Sequence, residues 1–150
     1  MSAPWFNTPE RIAALEAAAL SWIGTPWAQN SRVKGAGGGV SCHFLPYEIV
    51  REAGLLLPFD PPKAPADWSI NHKESIIEPF MDARPEFASV ADMAPGDFNG
   101  YLVGGCLHHL TVVLTGGRMV HVWRNTGVII SRVDDTTYSK RHKRTWRPIS

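Results

Sequence analysis

Cys42 and the histidines of the C-terminal half are the residues whose types and spacing best suit nucleophilic chemistry. Cys42 lies in the stretch GAGGGVSCHFLP (35–46), between a glycine run and an apolar segment that is predicted to be helical. The positive end of a helix dipole lowers the pKa of a thiol at a helix start, and a nearby imidazole completes its activation. That imidazole needs a partner that fixes its tautomer. The pattern therefore predicts a histidine on another element and a third polar residue beyond it.

The strand-like segment HHLTVVLTGGRMVHV (108–122) offers His108, His109 and His121 for these two roles. Side chains alternate along a strand, so His109 shares one face with Thr111, while His108 lies on the other face. Because the GG pair predicts a hairpin turn, His121 lies on the returning strand, where it can stand beside His109. We predict that His109 is the general base and that His121 orients it.

The N-terminal half is predicted to hold two helices. The segment TPERIAALEAAALSWIG (8–24) has Thr8 as a good N-cap, Pro9 at the first helical position, and apolar residues at helical spacing as far as Ile23. The segment SCHFLPYEIVREAGLL (41–56) is the second candidate. Its Pro46 cannot donate to the carbonyl of Cys42, so we expect this helix to begin late or to bend beside Cys42.

The C-terminal half is predicted to be an antiparallel meander. It contains short β-branched runs separated by glycine-containing turns, namely YLVGG, HHLTVVLTG, GRMVHVWRN and GVIISRVD. Helices followed by strands indicate the α+β class. With 150 residues and no evident linker or repeat, we predict one domain over residues 1–150.

The middle of the chain is proline-rich. The connector LPFDPPKAPADWS (57–69) is expected to be ordered only if it packs through Phe59 and Trp68, and a short helix is predicted within 71–87. We expect the segment 58–90 to line one wall of the site and to narrow the range of substrates.

Composition excludes several classes of function. The chain is 44% hydrophobic and 19% charged, and its net charge of +1 gives no reason to expect nucleic-acid binding. We expect the basic run SKRHKRTWR (139–147) to form a solvated, partly packed terminus, with contact to an anionic partner as the alternative. No apolar run is long enough for a membrane span, and the N-terminus does not resemble a signal peptide, so we expect a cytoplasmic protein as synthesised.

Five motifs in this order resemble the NlpC/P60 superfamily of papain-like cysteine peptidases, particularly its phage-tail and prophage members. They are IGTPW (23–27), VSCHFL (40–45), APGDF (94–98), HHLTVVL (108–114) and GGRMVHV (116–122). The closing DDTTYSKRHKRTWRP (134–148) is similar to the basic, Trp-containing tail of the phage-type members. The resemblance covers nearly the whole chain.

This resemblance implies a papain-like fold, in which the helix that begins with the cysteine packs on a small antiparallel sheet. Carried over by position, Cys42 is the nucleophile, His109 the general base and acid, and His121 the residue that holds His109. The backbone N–H of Cys42 is then a plausible oxyanion donor. The implied substrate is the γ-D-glutamyl bond to a diamino acid in peptides of the bacterial cell wall.

The same resemblance implies that no cofactor is needed. The partners that it implies are the cell-wall peptide and other phage tail proteins. It also implies a location in the phage virion or delivery to the cell wall.

The sequence departs from the family pattern around the expected site. The aspartate before the cysteine is Ser41, the tyrosine of the first motif is Trp27, and the small residue after the cysteine is His43. We expect these three residues and His108 to line the substrate site. The departures leave the predicted triad intact, but they also leave open a degenerate relative that binds cell-wall peptides without cutting them.

A metal site is a further alternative. Cys106, His108 and His109 lie close in sequence, and Cys42, His43 and His121 can converge on them. The regular ligand spacing of structural zinc sites is missing, which disfavours this reading. Two cysteines also make no disulfide framework.

Overall fold

A computed structural model describes residues 2–65 and 74–150. Its first helix, α1, spans Pro9–Ser21. The Thr8 hydroxyl accepts a hydrogen bond from the backbone N–H of Arg11 at 3.2 Å, so the predicted N-cap is confirmed. Leu15 is fully buried, whereas Ile23 is 47% exposed. Helix α1 ends at Ser21, so the helical spacing of apolar residues does not extend to Ile23.

The second helix, α2, spans Leu45–Glu52 and begins three residues after Cys42. The N–H of Leu45 donates to the carbonyl of Ser41 at 3.0 Å, which closes one turn. Pro46 has no N–H to offer the carbonyl of Cys42, so the helix does not extend back through the cysteine. Cys42 therefore lies in the turn before the helix and not on its first residue.

Two short helices follow. Helix α3 spans Ile77–Asp82, inside the segment predicted as a short helix, of which residues 71–73 lie outside the described residues. Helix α4 spans Thr136–Ser139 and is capped by the side chain of Asp135.

The described residues contain eight strands, whose bounds are β1 Arg32–Val33, β2 Gly39–Val40, β3 Phe87–Val90, β4 Phe98–Val103, β5 Cys106–Val113, β6 Arg118–Trp123, β7 Gly127–Arg132 and β8 His142–Pro148. The first two pair with each other. The other six form one antiparallel sheet in the order β3-β8-β4-β5-β6-β7. The predicted α+β class is confirmed.

The predicted meander corresponds to β4 through β7, which are consecutive antiparallel neighbours. The turn between β5 and β6 places Gly116 and Gly117 at φ +69° and +70°, in the left-handed region that glycine adopts without strain. The GG pair therefore produces the tight turn that the sequence predicted.

The C-terminal basic run was predicted wrongly. Instead of the expected solvated, partly packed terminus, residues 142–147 belong to β8, which lies inside the sheet between β3 and β4, whereas residues 139–141 precede the strand and are exposed. Trp146 is 1% exposed. Arg144 pairs with Glu78 and Asp82 of α3, so much of the positive charge is neutralised within the molecule.

The segment 58–90 builds part of the fold, since it supplies α3 and the edge strand β3. Phe59 packs edge to face against Tyr47 and Phe80, with ring centroids 6.0 and 5.5 Å apart. Trp68, the other predicted anchor of the connector, lies outside the described residues.

The two faces of the sheet bury different kinds of residue. Leu110 and Val112 of β5 belong to the apolar core between the sheet and the helices. His109 and Thr111 alternate with them along the strand and are also buried. Along the part of the chain that the structure describes, no helix has the length and hydropathy of a membrane span.

Candidate active site

Cys42 is positioned by the close approach of β2 to the segment that carries Trp27. The N–H of Val40 donates to the carbonyl of Pro26 at 2.9 Å, and the carbonyl of Val40 accepts from the N–H of Ala28 at 3.1 Å. A Cβ on Gly39 would lie 2.5 Å from the Cβ of Ala28, so this approach requires glycine. The glycine run therefore fixes Trp27 beside the strand that leads into Cys42.

The thiol of Cys42 is buried against the backbone of β5. Cys42 is 8% exposed, and its Sγ donates a hydrogen bond to the carbonyl of His108 at 3.6 Å. Burial raises the pKa of this thiol to about 12, against the opposing effect of the backbone N–H groups of Leu110 and of Cys42 itself. The expected lowering of the pKa by a helix N-terminus is therefore wrong, because the helix begins later and desolvation dominates.

His109 and His121 lie together on the neighbouring strands β5 and β6. Nε2 of His109 and Nδ1 of His121 are 2.9 Å apart, which is a hydrogen bond between two buried rings. Strands β5 and β6 pair at Val112 with Val120 and at Val113 with Met119, which sets the register of the two histidines. The structure thus brings together the two histidines that the sequence nominated.

Ser131 extends this histidine pair into a chain of hydrogen bonds. The sequence analysis did not identify this residue. Its hydroxyl lies 2.7 Å from Nε2 of His121. Strand β7 pairs with β6 so that Ile129 faces His121, and Ser131 is two residues further along the same face. Strand alternation predicts from the sequence that Ser131 shares a face with Ile129. Only the observed register between β6 and β7 places the Ser131 hydroxyl beside the His121 ring.

An aromatic shell surrounds the two imidazoles. Trp123 stacks on His109 with ring centroids 3.9 Å apart and an interplanar angle of 8°. Tyr138 contacts His121 edge to face at 5.0 Å, and its hydroxyl accepts from Nε1 of Trp123 at 3.2 Å. Neither aromatic residue was singled out from the sequence.

Burial keeps both imidazoles neutral. Desolvation lowers the pKa of His121 to about 4. Desolvation also holds the pKa of His109 well below its ordinary value, and the neighbouring His121 and His108 add to the effect. Since the thiol of Cys42 is neutral as well, the site at rest carries no thiolate–imidazolium pair.

Of the four residues expected to contact substrate, Ser41 and His43 flank Cys42 in sequence, the carbonyl of His108 accepts from its thiol, and Trp27 bridges to Val40. Ser41, His43 and His108 are buried, and Trp27 is half-buried. Burial, together with the charges of His108 and Arg32, lowers the pKa of His43 to about 4.

A small, shallow recess opens next to the residue that follows Cys42. Its lining residues come from the α2 region and from the segment 58–90: His43, Tyr47, Pro61, Pro62, Ile76, Ile77 and Phe80. The segment that was expected to line one wall of the site therefore lines this recess.

Within residues 2–65 and 74–150, no cluster of side chains supports the metal-binding alternative. No three His, Cys, Asp or Glu side chains of these ranges are grouped so that they can hold an ion. Cys42 and Cys106 are both free thiols.

Solved structures with this fold are NlpC/P60 proteins. An NLP/P60 family protein similar to a lipoprotein, from Staphylococcus aureus, aligns over 99% of this chain with a TM-score of 0.60 and 16% identity. The P60 domain of an antigen from Mycobacterium avium subspecies paratuberculosis aligns over 93% with a TM-score of 0.58 and 16% identity. The peptidoglycan hydrolase RipB from Mycobacterium tuberculosis aligns over 99% with a TM-score of 0.59 and 20% identity.

The chain therefore has the NlpC/P60 fold, and the predicted fold is confirmed. It spans 44% of the Staphylococcus protein, 94% of the P60 domain and 69% of RipB. No protein-family model matches the sequence, and no curated protein matches it.

Proposed function

We propose that this protein is a cysteine hydrolase in which Cys42 is the nucleophile, His109 is the general base and His121 orients His109. The observation that carries the proposal is the 2.9 Å hydrogen bond between the two imidazoles, on the strand whose backbone holds the Cys42 sulfur. The NlpC/P60 fold supports it, because the motifs that resemble this family place Cys42, His109 and His121 at the positions of its cysteine and two histidines.

The hydrogen-bond chain has a direction that suits a base. If Nε2–H of His109 donates to Nδ1 of His121, then Nε2–H of His121 donates to the hydroxyl of Ser131. In this arrangement both rings are neutral and Nδ1 of His109 carries a lone pair. That nitrogen is the one that accepts the proton of the Cys42 thiol.

The neutral resting state determines how the reaction begins. The thiol leaves the carbonyl of His108, and its proton passes to Nδ1 of His109 as the sulfur attacks the peptide carbonyl carbon. His109 then returns the proton to the leaving amine, and an acyl-enzyme remains on Cys42. Water, activated by the same imidazole, hydrolyses the thioester and restores the thiol.

Peptides of the bacterial cell wall are the substrate class that we propose. RipB, one of the proteins with this fold, is a peptidoglycan hydrolase. The motifs of this chain resemble enzymes that cleave the γ-D-glutamyl bond to a diamino acid. Assembly with other phage tail proteins, and delivery in a virion, are part of the same proposal.

Incubation with purified peptidoglycan stem peptides tests the function directly. We expect mass spectrometry to detect cleavage products with the intact protein and none with Cys42→Ala, because the acyl-enzyme needs the thiol. Cys106→Ala is the matched control and should keep full activity. Equal product formation by Cys42→Ala and the unmodified protein would overturn the assignment.

The buried neutral thiol favours one second candidate, a degenerate module that binds wall peptides without cutting them. A thiol with a pKa of about 12 is a poor nucleophile unless a substrate draws it toward His109. Binding of stem peptides to the unmodified protein, measured by calorimetry and with no product over a long incubation, would select this alternative.

A further inference from the structure

Arg124 and Trp27 form a stacked pair beside the candidate site. The guanidinium carbon of Arg124 lies 4.6 Å from the centre of the Trp27 ring. Arg124 is exposed and Trp27 is half-buried. A guanidinium on an indole face is held in one orientation while its N–H groups stay accessible at the edge of the stack.

Both members of the pair are close in sequence or pairing to residues of the candidate site. Trp27 bridges to Val40, two residues before Cys42. Arg124 directly follows Trp123, which stacks on His109. The stack therefore connects the residue that follows Trp123 with the segment that pairs to the strand leading into Cys42.

The backbone around the pair is fixed. The N–H of Val128 donates to the carbonyl of Thr25 at 2.9 Å, and the N–H of Gly24 donates to the carbonyl of Val128 at 3.3 Å. These bonds tie the start of β7 to the segment that leads into Trp27. The segment before Trp27 and the strand that follows the Arg124 turn are therefore held next to each other.

The charge of Arg124 is available to a ligand. Arg118, Arg132 and Arg144 each form a salt bridge with a carboxylate of this chain. Within the described ranges, no carboxylate lies at salt-bridge distance from Arg124, whose contact is the neutral Trp27 ring. A planar guanidinium with exposed donors binds a carboxylate through two parallel hydrogen bonds.

We propose that Arg124, held on Trp27, binds a carboxylate of the substrate close to the bond that is cut. This inference rests on the proposed function and names a specificity residue for it. A peptide linked through the γ-carboxyl of glutamate keeps a free α-carboxylate only a few bonds from the scissile carbonyl. The acidic group that Arg124 recognises is therefore a feature of that linkage.

Two matched peptides test the inference, one with the free α-carboxylate and one with the α-carboxamide. We expect the unmodified protein to prefer the acid by roughly tenfold in kcat/KM, mainly through KM. Arg124→Ala should lose this preference while keeping kcat. Arg124→Lys should keep part of it, because the charge remains but the planar fork does not. Arg141→Ala removes another exposed arginine and should leave the preference unchanged.

Binding of the same two peptides to Cys42→Ala, measured by calorimetry, gives a readout that needs no turnover. The role of Arg124 alone would be overturned by either of two results. The unmodified protein could cleave or bind both peptides with no preference, or the preference could survive in Arg124→Ala. Absence of both binding and cleavage would remove the proposed function itself. The two failures are therefore distinguishable.

Discussion

The reactivity of Cys42 is the sharpest test of the structure, because the local sequence and the tertiary environment predict opposite results. An ordinary free thiol has a pKa of about 8.5, so about a quarter of it is thiolate at pH 8. A thiol with a pKa of about 12 is thiolate in only about one molecule in ten thousand at that pH. Because the thiolate is the species that alkylates, we expect Cys42 to react roughly a thousandfold more slowly than a free thiol.

The assay is alkylation of the folded protein by iodoacetamide from pH 5 to pH 9, with each cysteine read by mass spectrometry. We expect no inflection in the Cys42 profile over this range, and the same profile in His109→Ala. Protein unfolded in guanidinium is the control, since both cysteines should then react as ordinary thiols.

An inflection below pH 8 that disappears in His109→Ala would refute this reasoning. It would show that a thiolate–imidazolium pair exists at rest. The thiol would then lie against His109 and not against the carbonyl of His108.

Three further predictions follow from the geometry of the site. Because burial lowers the pKa of His121 from 6.5 to about 4, the unfolded chain binds a proton that the folded chain does not. The free energy of unfolding should therefore fall as the pH drops from 6.5 to about 4, by about 3 kcal/mol. Denaturant titrations at several pH values measure the free energy of unfolding. The same dependence of this free energy on pH in His121→Gln would contradict the prediction. Ser131→Ala should lower kcat by roughly tenfold, with rescue by Ser131→Thr, because the hydroxyl fixes the tautomer of His121. Nitrogen-15 NMR of His121 should show the tautomer change, and an unaltered spectrum would argue against it. Gly127→Ala should destabilise the protein by about 2 kcal/mol more than Gly24→Ala in thermal unfolding. Both glycines have positive φ, but only at Gly127 would a Cβ lie 2.7 Å from the carbonyl of Thr25. Equal losses would show that the contact does not matter.

Local signals predicted much of the fold correctly. Thr8 caps α1 because its hydroxyl satisfies an N–H three residues away, and Gly116 with Gly117 turns the chain because both adopt positive φ. Pro46 indicated a late start of α2, because proline has no backbone N–H to donate to the carbonyl of Cys42. Each of these effects acts over a few residues and is therefore readable from the sequence.

The basic C-terminal run shows where this reasoning fails. Its charge pattern is typical of a solvated tail, and nothing nearby in sequence contradicts that. The acidic partners of Arg144 and Arg147 come from α3 and from Asp97, at least 50 residues earlier in the chain. Long-range strand pairing makes this run a central strand, and such pairing leaves no local signature.

The sequence by itself nominated one nucleophile and two imidazoles, because Cys42, His109 and His121 fit one ordered set of motifs. Only the tertiary structure decided their state. Burial, which depends on the packing of distant segments, raises the pKa of the thiol and lowers those of the imidazoles. The register between β6 and β7 adds Ser131 to the chain, and the turn that follows β6 brings Arg124 over Trp27. Residue types set which chemistry is available, whereas desolvation and register set the protonation and the neighbours on which that chemistry depends.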